Sequence, residues 1–126
     1  KHAFAPANVF IDLADQRYFP NGFYQPGERL VFNLVGINDL NVLTSGTVTV
    51  KLWDEEGKII SGNSQKVEIK PFGRENIPFF ISLPKKEGGY LILSEFQKEN
   101  SLEIFKSRRY IRIGNNYVMN FPEVKP

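Results

Sequence analysis

The feature that most constrains this chain is an alternation of two. Val48, Val50 and Leu52 fall on one phase, and Thr49, Lys51 and Trp53 on the other. Successive side chains of an extended strand point to opposite faces, so this run describes a strand with one buried face and one outward face. The same period recurs at Val9, Ile11 and Leu13, at Leu30, Phe32 and Leu34, at Val67 and Ile69, and at Ile77, Phe79, Ile81 and Leu83. Residues 90–96 and 102–113 supply two further strands. No segment of about ten residues carries a helical period. Short strands about 8–12 residues apart, separated by Gly, Pro and Asn, specify an all-β sandwich or barrel. The reading is an antiparallel β-sandwich of about seven strands over residues 9–113, after a leading linker at 1–8. Residues 114–126 are an exit linker or an extra edge strand through Tyr117, Val118 and Met119.

Turn chemistry fixes the joints. Asp54-Glu55-Glu56-Gly57 puts glycine where a hairpin needs a positive φ, so Lys58, Ile59 and Ile60 should return beside the preceding strand. Residues 36–41 read as the close of the second strand, residues 61–63 as a loop, and Pro71 as a stop. Pro78 has no N–H to give a ladder, which confines it to a strand start or an edge.

Composition excludes several classes. The 126 residues are the size of one domain, long enough to bury a core without staples. Eleven phenylalanines make that core bulky. With no cysteine there is no disulfide framework, thiolate metal site or cysteine nucleophile. A formal charge of +2 lacks the dominant basic surface of a nucleic-acid binder, so no nucleic-acid partner is expected. No apolar run approaches the ~18 residues of a membrane span, and no signal peptide is visible. The chain begins at Lys1, which reads as a processed protein or a domain cut from a longer polypeptide.

Candidate chemistry is sparse. The single His2 sits in the leading linker, without converging ligands or a nucleophile to serve. Asp54, Glu55 and Glu56 cluster, but in a hairpin loop where acids collect because they are solvated and bond their own turn. A catalytic acid needs a pocket that raises its pKa. The reading is therefore no catalytic residue, no metal and no cofactor. Two surface features are candidates for binding. Trp53 alternates onto the outward face, where an indole beside polar groups can stack on a sugar with help from Tyr18 or Tyr24. The rival reading has Trp53 covering the sheet or a neighbouring domain. Lys106, Arg108, Tyr110 and Arg112 share one phase of the last strand. That stripe either grips an anionic polymer or is a solvated face paired with Glu95 or Glu103, guarding an edge.

Tyr90 follows Gly88-Gly89 at the start of the sixth strand. In immunoglobulin sandwiches a tyrosine there bonds back to the backbone and pins the corner before it. Other pieces point the same way. They are Tyr24-Gln25-Pro26-Gly27-Glu28, the run from Val48 to Lys58, Ile81-Ser82-Leu83-Pro84, and the closing run from Ser107 to Ile113. Together they resemble the immunoglobulin-like, or fibronectin III-like, accessory domains of secreted bacterial glycoside hydrolases. The same order of pieces is similar to macroglobulin-type domains of bacterial surface proteins. Trp53 lies off the core-facing phase and both disulfide cysteines are missing, which argues against an antibody-type domain. The resemblance implies a non-catalytic module, outside the cell or in the periplasm. It would space or orient adjacent domains of its polypeptide, with a polysaccharide as a further candidate partner.

Overall fold

The computed structural model describes residues 7–13 and 22–114. They form seven strands: β1 (Ala7–Asp12), β2 (Arg29–Asn38), β3 (Thr44–Asp54), β4 (Ile59–Ile69), β5 (Gly73–Ser82), β6 (Gly88–Lys98) and β7 (Ile104–Ile113). One sheet has the order β1-β2-β5 and the other β4-β3-β6-β7, all antiparallel. This is the expected all-β sandwich. Its fourth strand joins the sheet of the third, unlike constant-type immunoglobulin domains, where the fourth sits beside the fifth.

The alternating phases bury as the period required. Val48, Val50 and Leu52 face Ile92 and Phe96 on their own sheet and pack, as one cluster, against Ile11, Leu34 and Phe79 of the other. Each such side chain taken out of water contributes about 1.5–3 kcal/mol, and both sheets carry several, so this layer holds the body together. Gly46 lies on the inner phase for a steric reason. A Cβ there would come within 2.5 Å of the Gln97 carbonyl and 2.6 Å of the Phe96 ring.

Several boundaries differ from the sequence reading. β1 takes in Ala7 and Asn8, so the strand begins inside the linker expected at 1–8. The stretch read as closing the second strand continues as β2 to Asn38. There a fully buried amide donates to the carbonyls of Val42, Ile69 and Lys70 at 2.9–3.2 Å and accepts from Leu40 N–H. A side chain thus does what a longer loop would otherwise do. The last strand starts at Ile104 rather than Leu102, which is 95% exposed.

The largest correction concerns the loop expected at 61–63. These residues are the middle of β4, paired with Leu52, Lys51 and Val50 of β3. Residues 59–66 are exposed on both faces. They form the rim of the four-stranded sheet, where Ser61, Gly62 and Asn63 border an open concavity with residues 79–82 of β5, so nothing requires apolar side chains there. Pairing with β3 satisfies the backbone on one side, and the polar run Ser-Gly-Asn-Ser-Gln is tolerated as strand.

Two joints formed as expected. Gly57 has φ 84° and closes the β3–β4 hairpin. Pro78 sits mid-strand on β5, an edge of its sheet. Leu83 N–H points to Glu28 on the β2 side. By alternation the Pro78 nitrogen therefore faces the open edge, where its missing hydrogen costs the ladder nothing.

Candidate functional site

The end of the sandwich holding the β3–β4 hairpin and the β5–β6 connection contains most of the polar groups singled out above. Tyr90, 3% exposed, donates its hydroxyl to the Lys86 carbonyl at 2.8 Å, four residues upstream. The corner expected from the sequence is there. Burial raises the phenol's pKa, and the charges of Asp54 and Glu55 add to the rise.

Beside the corner lies an open concavity of about 530 Å³, lined by Asp54, Glu55, Glu56, Lys58, Lys86 and Tyr90 among others. The Asp54 carboxylate is spent on its own turn, where one oxygen accepts the backbone N–H groups of Glu56 and Lys58, both at 2.9 Å. Its pKa is lowered, first by the Lys58 hydrogen bond; desolvation opposes this, and the Glu56 bond and the Lys58 and Lys86 charges add to it. That is the opposite of what a general acid needs. Among the described residues no group of three His, Cys, Asp or Glu is arranged to hold a metal ion.

The outward face of the four-stranded sheet carries the binding candidates in rows. Ile59, Trp53, Leu91 and Tyr110 form one cross-strand row. The next contains Lys51, Leu93 and Arg108, and the one after it Thr49, Glu95 and Lys106. Trp53 is outward, as its phase requires, but half-buried rather than a free plate. Its indole nitrogen is sealed from solvent with no hydrogen-bond partner. Tyr110 is 9% exposed. Apart from the exposed Ile59 the row is packed apolar surface, and it is the register across β3, β6 and β7, not alternation within a strand, that brings Trp53 into line with Tyr110.

Tyr24 is elsewhere. It bridges to Ile113 in parallel, donates its N–H to Arg112 and accepts from Gly114, extending the sheet beyond β7. Its ring packs on the core, and its pKa is raised by burial and then by the Glu28 charge. Three strand spacings, about 14 Å, separate it from Trp53, so the two do not share a platform. Tyr18 and His2 lie outside the described residues.

The basic stripe is on one face, as read. Lys106 and Arg108 are exposed, while Arg112 donates to the Gly22 carbonyl at 3.2 Å. Glu95 lies 3.5 Å from Lys51 and 3.9 Å from Lys106, the cross-strand charge pairing expected of a solvated face.

The opposite phase of β7 was missed. Arg109 points inward at the edge and donates to the carbonyls of Leu13 at 2.8 Å and Ile11 at 2.9 Å. Ser107 Oγ accepts the Ile11 N–H at 3.2 Å. Together they stitch β1 of one sheet to β7 of the other. A serine and an arginine on the same phase as Ile111 and Ile113 were the available signal.

No family model matches the sequence, and no curated protein does. Solved structures do. A cycloisomaltooligosaccharide glucanotransferase from a Paenibacillus species, complexed with cycloisomaltoheptaose, matches with TM-score 0.59 at 20% identity over 83% of this chain. The CARDB domain of a Pyrococcus furiosus protein, solved with two metal ions, matches with TM-score 0.60 at 15% identity, covering 86% of this chain and 87% of that one. A family 123 glycoside hydrolase from Clostridium perfringens gives 0.60 at 11% identity over 88% of this chain. The chain spans only 13% of the glucanotransferase and 27% of the glycoside hydrolase. At these identities the likeness is one of fold. The fold is an immunoglobulin-like sandwich that recurs as part of larger carbohydrate-active enzymes. No helix among the described residues is long and apolar enough to cross a membrane.

Proposed function

We propose that this chain is a non-catalytic structural module of a larger exported carbohydrate-active protein, holding its neighbouring domains at a fixed spacing and orientation. The observation that carries this reading is the asymmetry of coverage. Most of this chain matches a small part of much longer glycoside-processing enzymes. Two features of the body support it. β1 starts at the end that carries the β2–β3 and β4–β5 connections, while β7 finishes at the end with the Tyr90 corner. A chain passing through therefore enters and leaves at opposite poles, as a rigid spacer requires. The one acid-rich concavity described above has its central carboxylate committed to a turn.

The test uses the isolated chain and the polypeptide that carries it. The isolated chain should neither bind nor turn over a panel of polysaccharides. Deleting it from the full polypeptide should leave turnover of a small chromogenic glycoside intact while changing domain spacing in small-angle scattering. Turnover by the isolated chain would overturn the reading.

A second proposal, glycan binding on the outward face, draws on the row that joins Trp53 to Tyr110 beside Lys51 and Arg108. Retardation of the isolated chain in a polysaccharide gel, abolished by Trp53→Ala, would favour it. Unchanged migration would eliminate it.

A further inference from the structure

The two sheets have four lateral edges, and three of them are protected. β5 presents Pro78, which has no N–H to offer an incoming strand. β1 and β7 are stitched to each other by Arg109 and Ser107, and β7 also carries the Tyr24 bridge. Among the described residues, β4 has none of these devices. It runs for eleven residues, its one irregularity opposite β3 lies near its start, and residues 59–66 are exposed on both faces. An extended edge with unpaired backbone groups is a template for strand addition.

We propose that β4 pairs antiparallel with β4 of a second copy of this chain, in the register centred on Val67. The charge pattern selects both the occupant and the register. Lys66 and Glu68 lie on the outward face, two residues apart, opposite the uncharged Thr47 and Ser45 of β3. In a two-fold antiparallel pair centred on Val67, each Lys66 stands opposite the other copy's Glu68, and the match occurs twice. Centring on Lys66 sets two lysines face to face. Centring on Glu68 sets two glutamates face to face and each Lys66 opposite a Lys70. Opposite charges across a strand pair stabilise it and like charges oppose it, so the neighbouring registers on the same face are disfavoured. In this register residues 65–69 of the two copies overlap, and the new backbone bonds come from Lys66 and Glu68, whose N–H and C=O groups face away from β3, so the two four-stranded sheets join through a short seam.

The experiment is sedimentation of the full chain over a concentration series in low-salt buffer, with thermal melts as a folding control. The wild type should show a monomer–dimer equilibrium, weakened by added salt. Lys66→Glu puts two glutamates opposite each other and should weaken association by about tenfold or more. The double swap Lys66→Glu with Glu68→Lys restores the match and should restore the dimer. A wild type that stays monomeric up to about 1 mM overturns the proposal. So does a Lys66→Glu variant that associates as tightly as the wild type, or a folded double swap that fails to recover association.

Discussion

Replacing Tyr90 by Phe isolates one hydrogen bond. The ring keeps its place in the core, and only the hydroxyl that reaches the Lys86 carbonyl at 2.8 Å is lost. A neutral hydrogen bond of this kind contributes about 0.5–1.5 kcal/mol net, and leaving an acceptor dry costs more. Lys86 is an exposed residue, so its freed carbonyl is open to water, and the loss should stay near 1 kcal/mol. For a domain of this size that lowers Tm by about 3–6 °C. Urea melts at neutral pH should show a lower midpoint with an unchanged slope, since the surface exposed on unfolding is the same. The pH dependence is a second reading of the same bond. The folded pKa of Tyr90 lies above the 10.0 of a free phenol, because burial and the charges of Asp54 and Glu55 disfavour the phenolate. Stability from the protonated hydroxyl is fully present below that value and is lost as pH rises through the folded pKa. The gap between wild type and Tyr90→Phe should therefore narrow above about pH 10. Superimposable melts at neutral pH would refute the corner, and a gap unchanged at about pH 11 would refute its electrostatic account.

Other perturbations follow from the same geometry. Arg109→Met removes the bonds to the Ile11 and Leu13 carbonyls and should cost about 2 kcal/mol in chemical denaturation; Arg109→Lys should recover little of it, because an ammonium lacks the guanidinium's planar fork of donors. Gly46→Ala forces a methyl group against the Gln97 carbonyl and the Phe96 ring, and should destabilise by about 1–3 kcal/mol in the same assay. Asp54 has a folded pKa below its ordinary 3.8, so its contribution is present above that value and lost as pH falls through the folded one. Asp54→Asn should consequently flatten the acid limb of a stability-against-pH curve below about pH 4, and an unaltered limb would contradict the turn bonds.

The sequence made the layers of this fold readable where burial on one face enforced a period. Val48, Val50 and Leu52 had to share a side, Gly57 had to supply the left-handed turn, and Tyr90 had to sit at a corner. It misled where burial made no demand. Residues 61–63 look like a loop because their side chains are polar, yet their backbone is paired to β3 at the rim of a sheet wider than its partner. For Asn38 and Arg109 the strand phase marked a polar residue facing inward but not its partners. Each is a polar residue satisfied by carbonyls distant in sequence, and no local pattern announces such partners. At the candidate site the phases placed Trp53 outward and aligned the basic stripe. Which residues would meet across strands depended on register, so the Trp53–Leu91–Tyr110 row and the separation of Tyr24 from Trp53 emerged only with the sheet order.

The role proposed for this body is to serve the domains beside it without chemistry of its own. The most direct test is a turnover assay of the isolated chain on soluble and insoluble polysaccharides, with Asp54→Asn and Glu56→Gln as controls. No product above buffer is expected for any of the three. Saturable turnover by the wild type that either substitution abolishes would contradict the proposed role.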